Sequence, residues 1–205
     1  MKKVLITGSS SGFGYLTTLT LARKGYKVWA TMRDSYGKNS EKRKEFEALA
    51  KDENLDIIVA ELDVTSEVSV RELTTRVIQE DRSLDVLVNN AGVMYVGITE
   101  AYSLEQVQEQ FDTNFFGVVR TTKAFLPLIK KSSDGTIINI SSLAGRLVFP
   151  YFGVYCASKF ALEAYTESLR YELKPLNVDV SIVEPGPFPT SLLNSLHKEE
   201  DRISI

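Results

Sequence analysis

Residues 3–14 read Lys3-Val4-Leu5-Ile6-Thr7-Gly8-Ser9-Ser10-Ser11-Gly12-Phe13-Gly14, a short apolar run that breaks at glycine and then opens into a helix-like segment. The run Val4 to Ile6 is too short for a secretion signal and reads as a strand. Glycines after a strand let the backbone turn sharply and approach a ligand. The helix that follows offers free N–H groups and the positive end of its dipole. That arrangement suits a pyrophosphate; the simpler reading is a plain strand-to-helix turn. The spacing G-x-x-x-G-x-G departs from the G-x-G-x-x-G dinucleotide fingerprint. It also lacks the Gly-Lys-Ser/Thr of a triphosphate loop, which disfavours kinase or ATPase chemistry.

Working outward, strand-like and helix-like segments alternate. Lys3–Thr7 reads as a strand, Gly12–Lys24 as a helix closed by Gly25, and Lys27–Arg33 as a strand. Ser40–Asp52 is a charged surface helix, Asp56–Leu62 a strand, Ser66–Glu80 a helix and Leu84–Asn89 a strand. Leu104–Lys131 reads as one long helix kinked at Pro127; Thr136–Ser141, Val154–Lys174 and Val178–Glu184 supply strand, helix and strand. The six strands are near-continuous apolar runs, as expected when helices cover both faces. The alternation predicts an α/β fold, a doubly wound parallel sheet in one domain spanning residues 1–205.

Composition narrows the function. The 205 residues carry a formal net charge of −3, with Lys and Arg dispersed, so no basic footprint for nucleic acid is present. No apolar run approaches the ~20 residues of a membrane helix. Cys156 is the single cysteine, which excludes an internal disulfide and fits a cytoplasmic protein; it reads as a buried structural thiol. His197, the single histidine, has no partner at metal-ligand spacing, so no metal is expected.

In doubly wound sheets ligands bind beyond the carboxyl ends of the strands. The second strand ends in Met32-Arg33-Asp34. An acid there holds a ribose 2′-hydroxyl and an arginine accommodates a 2′-phosphate, so both NAD and NADP stay open. After the third strand Asp63 could accept from an adenine amino group, or cap the next helix, a role Thr65 or Ser66 fills better. The fourth ends in Asn89-Asn90-Ala91-Gly92, small enough for close approach to a ligand, or simply a turn. Asn114 falls inside a long helix, where an amide is most often solvated. The fifth strand delivers Ser142 and the sixth Glu184-Pro185-Gly186.

Beyond the fifth strand, Tyr155 and Lys159 stand four apart at a helix start and so share a face. An ammonium beside a phenol lowers a pKa that starts near ~10, allowing proton exchange with a carbonyl or alcohol. With nine tyrosines in the chain, roughly half a Tyr-x-x-x-Lys is expected by chance, so the pair gains meaning only from its surroundings.

Taken in order, Thr7-Gly8-x-x-x-Gly12-x-Gly14, Asp63, Asn89-Asn90-Ala91-Gly92, Ser142 with Tyr155-x-x-x-Lys159, and Pro185-Gly186 with Thr190 resemble the short-chain dehydrogenase/reductase family in its compact single-domain form. The resemblance covers essentially the whole chain. It implies a Rossmann-type sheet of order 3-2-1-4-5-6 and hydride transfer between a nicotinamide cofactor and an alcohol or carbonyl. It makes Tyr155 the acid–base group, with Lys159 holding the nicotinamide ribose and depressing the Tyr155 pKa. Ser142 would polarise the carbonyl and Asn114 would anchor a relay water. Gly8, Ser11, Gly12, Phe13 and Gly14 would line the phosphate turn, and Asp63 and Val64 would meet the adenine. Asn90, Ala91 and Gly92 would pack along the cofactor, while Pro185, Gly186, Phe188 and Thr190 flank the nicotinamide. Arg33 falls where NADP-preferring members carry a base, and Val28–Arg33 is similar to the hydroxysteroid-dehydrogenase-like branch. The expectation is therefore NADP(H) over NAD(H).

Two departures stand out. Pro187, Phe188 and Pro189 are stiff and bulky where small aliphatic residues are common, which would reshape the pocket near the nicotinamide. The family pattern also continues past Ile205 into a helical lid, begun by Ser191–Arg202, and a seventh strand. Their absence leaves the sixth strand as an edge, with lower stability or altered association expected. The expected substrate is a hydrophobic small molecule, facing Val93–Ile98, Leu143–Phe152 and Phe188–Leu196. The expected partner is a second copy, in a homodimer or homotetramer paired through the long helices. The competing readings are a non-catalytic dinucleotide-binding module of the same fold and an NAD-bound sugar epimerase.

Overall fold

A computed structural model describes residues 1–188. Six parallel strands form one sheet in the order 3-2-1-4-5-6: β1 (Lys3–Ile6), β2 (Lys27–Met32), β3 (Ile57–Glu61), β4 (Val86–Asn89), β5 (Gly135–Ile140) and β6 (Val178–Val183). The helices are α1 (Gly12–Arg23), α2 (Ser40–Asp52), α3 (Glu67–Asp81), α4 (Leu104–Phe111), α5 (Gly117–Ile129) and α6 (Gly153–Leu173). The expected Rossmann-type topology is present.

The register explains the two cores. Trp29, Leu5, Leu87, Ile137 and Val180 lie opposite one another across five strands. This row packs with Val70, Leu73 and Val77 of α3, Phe125, Leu128 and Ile129 of α5, and Leu169 and Leu173 of α6. The alternate residues Val4, Ile6, Val28 and Val88 point to the other face, against Ala22 of α1. There Ala30 and Met32 meet Leu19 of α1 and Phe46 of α2. Burying each such large side chain contributes about 1.5–3 kcal/mol. Among the described residues this second layer stops short of β5 and β6: Ile138 and Ile140 are half-buried, and Asp179 and Ser181 are exposed. Helices thus cover both faces of the first strands and one face of the last two.

The long helix expected over Leu104–Lys131 is two α-helices joined by a π-helical turn, Asp112–Phe116. The irregularity is here and not at Pro127, which sits in the last turn of α5. Its cause is local. Asn114 in that turn is 1% exposed and is held by the Val93 backbone, while a Cβ on the following Gly117 would come within 2.8 Å of Val64 Cγ2.

A buried amide network ties the ends of β4 and β5 to the helices beneath them. Asn89 Nδ2 donates to Asn139 Oδ1 at 2.8 Å, Thr121 Oγ1 donates to Asn89 Oδ1 at 2.7 Å, and Asn139 Nδ2 donates to Thr166 Oγ1 at 2.9 Å. A fully paired polar network of this kind fixes one arrangement of sheet and helices. It sits directly below the strand ends, where a ligand binds in such sheets.

Candidate active site

A cleft of about 750 Å³ runs along the carboxyl ends of the strands. One end is built by the turn after β1. Gly8 has φ +70°, and a Cβ there would come within 2.8 Å of Ala91 Cα; a Cβ on Gly14 would meet the Gly8 carbonyl at 2.3 Å. The turn is fastened to the loop after β4, with Asn90 Nδ2 donating to the Thr7 and Gly8 carbonyls at 2.9 and 3.0 Å. The N–H groups of Asn90 and Ala91 both donate to Thr7 Oγ1. Ser11, at the N-cap of α1, is extended and its hydroxyl makes no capping bond. Its hydroxyl and the first N–H groups of α1 are the donors an anion needs. A dinucleotide pyrophosphate fits this cradle.

Of the residues expected to contact a cofactor, Gly8, Ser11, Gly12, Phe13, Arg33, Asp63, Val64, Asn90, Ala91, Gly92, Pro185, Gly186 and Phe188 line the cleft. Gly14 does not; its missing side chain lets α1 pack under the turn. Thr190, like Pro189, His197 and the expected lid start Ser191–Arg202, lies outside the described residues. Asp63 Oδ1 accepts from the N–H and hydroxyl of Thr65 at 2.9 and 2.7 Å, and Ser66 caps α3. Phe188 does not simply crowd the pocket: its ring meets Phe13 edge-on, with centroids 5.6 Å apart, so the two aromatics bracket the cleft.

The loop after β2 separates its charges. The Asp34 carboxylate turns into its own loop to accept from Lys38 N at 2.8 Å, and Glu61 accepts from the N–H groups of Asp34 and Ser35. Arg33, Lys38 and Asn39 face the cleft instead. Lys38 and Asn39 were not singled out by sequence; a basic residue in a Gly37-Lys38-Asn39 turn close after Arg33 is the signal that could have found them.

The other end of the cleft holds Ser142, Tyr155 and Lys159. Ser142, two residues past the end of β5, is extended and caps a short 3₁₀ turn, Leu143–Gly145, by accepting from Ala144 N at 3.1 Å. Tyr155 and Lys159 occupy the first two turns of α6, on one face as their spacing requires, and are 6% and 5% exposed. Cys156 is buried among Met94, Ala144 and Tyr155, away from the cleft lining, as a structural thiol would be.

Burial raises the Tyr155 phenol above its ordinary pKa, opposed by a hydrogen bond from Ser142. Burial lowers Lys159 to about 8. The expectation that Lys159 depresses the Tyr155 pKa is therefore not met by the chain's own geometry. The Lys159 ammonium donates to the Ile140 carbonyl at 2.9 Å, and burial is the largest influence on each group.

Asn114 is not the solvated amide expected of a helix interior. Its Oδ1 accepts from Val93 N at 2.9 Å, and its Nδ2 donates to Val93 O at 3.0 Å and Ser158 Oγ at 3.2 Å. It stands behind the cleft wall, with one oxygen lone pair left for a further donor.

Known proteins fit this geometry. The family profile for short chain dehydrogenase matches residues 2–201. The chain belongs to this family. It is 41% identical over 197 residues to 3-ketodihydrosphingosine reductase from Bacteroides thetaiotaomicron, covering 96% of this chain and 68% of the relative. It is 44% identical over 198 residues to retinol dehydrogenase 8 from Homo sapiens, covering 95% and 61%. Among solved structures, the alcohol dehydrogenase from the archaeon Thermococcus sibiricus complexed with 5-hydroxy-NADP superposes with a TM-score of 0.87 at 29% identity, covering 96% of this chain and 80% of that one. A short chain dehydrogenase/reductase from Burkholderia phymatum in complex with NAD gives 0.87 at 27% identity, covering 95% and 68%. The chain spans about two thirds, or somewhat less, of the length of these curated relatives. Members of the family thus bind nicotinamide cofactors of both kinds, and the cleft of this short-chain dehydrogenase has the cradle for one. Among the described residues, no helix is long and apolar enough to cross a membrane.

Proposed function

We propose that this short-chain dehydrogenase transfers hydride between NADP(H) and a hydrophobic carbonyl or alcohol substrate, with Tyr155 as the acid–base group. The observation that carries the proposal is a single cleft lined at one end by the Gly8–Phe13 turn and at the other by Ser142, Tyr155 and Lys159. The cofactor, when bound, supplies the hydride chemistry. The protein's share is position, charge and protons.

The glycine turn and Ser11 would hold the pyrophosphate, Asp63 and Val64 the adenine, and Asn90, Ala91 and Gly92 the length between. Pro185, Gly186 and Phe188 would flank the nicotinamide, with Thr190 added by the family pattern. Arg33 and Lys38 on the cleft wall, with Asp34 turned into its own loop, support a 2′-phosphate and hence NADP(H) over NAD(H).

In carbonyl reduction the Tyr155 phenol donates its proton to the substrate oxygen. Burial keeps it protonated near neutral pH, which suits an acid. The Ser142 hydroxyl orients and polarises the same oxygen. Lys159 holds ribose hydroxyls, and the free lone pair of Asn114 anchors a water through which the Tyr155 proton is replaced.

The substrate end is apolar, with Val93, Met94, Leu143, Phe149 and Phe152 on its walls. Two relatives named for long apolar molecules, a 3-ketodihydrosphingosine reductase and a retinol dehydrogenase, support the same class. Exposed Leu104, Phe116, Phe160 and Tyr171 on α4 to α6 support pairing with a second copy. We place the six-stranded sheet and its helices in one catalytic domain of a cytoplasmic protein. The test is a cofactor-oxidation screen over ketones, aldehydes, steroids and sugars with NADPH and NADH in parallel. Turnover of apolar carbonyls with NADPH is expected; turnover confined to sugars, or to NADH, contradicts the proposal.

A further inference from the structure

One helical turn past Lys159, Glu163 is buried at 5% exposure beneath the Leu143–Gly145 turn. A Cβ on Gly145 would come within 2.7 Å of Ser141 Oγ and 2.9 Å of Glu163 Oε1, so the turn lies flush on both groups. Among the described residues, Ser141 Oγ and the two Glu163 oxygens are the buried side-chain polar atoms that complete no hydrogen bond. A buried carboxylate left this way is costly, and its presence in the catalytic helix requires an explanation.

The surrounding charges give one. Arg146, at the end of the same turn, brings NH2 to 3.3 Å from Glu163 Oε2 while its Nε donates to Glu184 Oε1 at 2.9 Å. Glu184 directly precedes Pro185, whose carbonyl accepts from Leu143 N at 2.9 Å. Facing Glu163 are thus Lys159 on its own helix, Ser141 and Arg146 from the segment after β5, and Glu184 from the segment after β6. Glu167 lies one turn further along α6 and Tyr155 on the far side of Lys159. Glu163 itself does not line the cleft.

We propose that Glu163 is a positioning residue: its buried carboxylate keeps the neighbouring Lys159 ammonium charged inside the catalytic cleft. Lys159 has a backbone carbonyl as its hydrogen-bond partner, which satisfies a donor without supplying a counter-charge. Glu163 supplies that charge from outside the cleft, where it does not compete for the ligand. Burial lowers Lys159 to about 8, and the Glu163 charge acts in the opposite direction. Burial in turn raises Glu163, the nearby Glu184 charge adds to that, and the Arg146 charge opposes it. The inference rests on the role given to Lys159 above.

The experiment is a pH titration by NMR of the full chain labelled with ¹³C at lysine Cε, the Lys159 signal being assigned by its loss in Lys159→Met. In Glu163→Gln the Lys159 midpoint is expected to fall by about one pH unit, the effect of removing one nearby opposite charge. The alkaline limb of kcat/KM falls by the same amount. In Glu163→Asp, which keeps the charge, both stay near the wild-type values; this comparison also serves if the amide variant folds poorly. A Lys159 midpoint unmoved in Glu163→Gln, or displaced equally in Glu163→Asp, overturns the proposal. Because the NMR readout needs no turnover, a midpoint that moves in an inactive chain would support this inference while removing the proposed reaction.

Discussion

Lys159 Nζ is bonded to the Ile140 carbonyl and lies 5.8 Å from the centre of the Tyr155 ring. The helix spacing brings the two functional groups into one cleft, but the ammonium is anchored to the sheet and not to the phenol. Both groups are buried, and burial favours the neutral form of each. The pair is arranged for work in the presence of other charges.

That arrangement has a stability consequence. The folded-state pKa of Lys159 is lowered from the ordinary 10.5 to about 8. Between those values the unfolded chain binds more protons than the folded one, so this group's contribution to stability rises with pH across the window. Below about pH 8 its desolvation penalty is fully present. Lys159→Met is therefore expected to raise Tm at pH 7, with the advantage over wild type shrinking as pH rises towards 10.5. Thermal melts of both proteins across that range measure it.

The glycines in and behind the cleft divide by what surrounds them. A Cβ on Gly14 would strike the Gly8 carbonyl at 2.3 Å, whereas one on Gly186 has nothing within 4 Å. Gly14→Ala is expected to cost about 3 kcal/mol, or roughly 6–12 °C in Tm for a chain of this size. Gly186→Ala should change stability by no more than about 0.5 kcal/mol. Circular-dichroism melts distinguish the two.

Arg33 and Lys38 carry the cofactor choice. Removing a charged hydrogen-bond donor from a phosphate costs about 1.5–3 kcal/mol, so Arg33→Ala should reduce the NADPH-to-NADH preference by about 10- to 100-fold. Lys38→Ala should reduce it in the same direction, by less for the more flexible cation. Kd values for both cofactors, measured by fluorescence titration, decide it; an unchanged ratio in both variants contradicts the NADP(H) assignment.

All six strands and the placement of Ser142, Tyr155 and Lys159 were legible in the chain because each depends on local signals, whereas the sheet order followed from the family resemblance. Apolar runs mark parallel strands, glycines mark the turn after β1, and a spacing of four places two side chains on one helical face. What escaped depends on contacts between distant segments. Asn114 was marked by the family resemblance alone, because helix periodicity cannot show that the Val93 backbone reaches it. The π-turn at Asp112–Phe116 was hidden for the same reason, and Pro127 offered a louder but misleading signal. Glu163 carries no sequence signal of its own, because only the Gly145 turn lying against it makes it a buried carboxylate. The direction of the Tyr155 shift was not legible because spacing shows a neighbouring charge and not the burial that raises the phenol.

The central claim is that Tyr155 moves the proton. The most direct measurement is single-turnover NADPH oxidation with an apolar ketone, comparing wild type with Tyr155→Phe, which keeps the ring and removes the hydroxyl. NADPH affinity is measured alongside by fluorescence. The account predicts a rate lowered by about 10²–10⁴-fold with affinity little changed. A rate within a few-fold of wild type would contradict it.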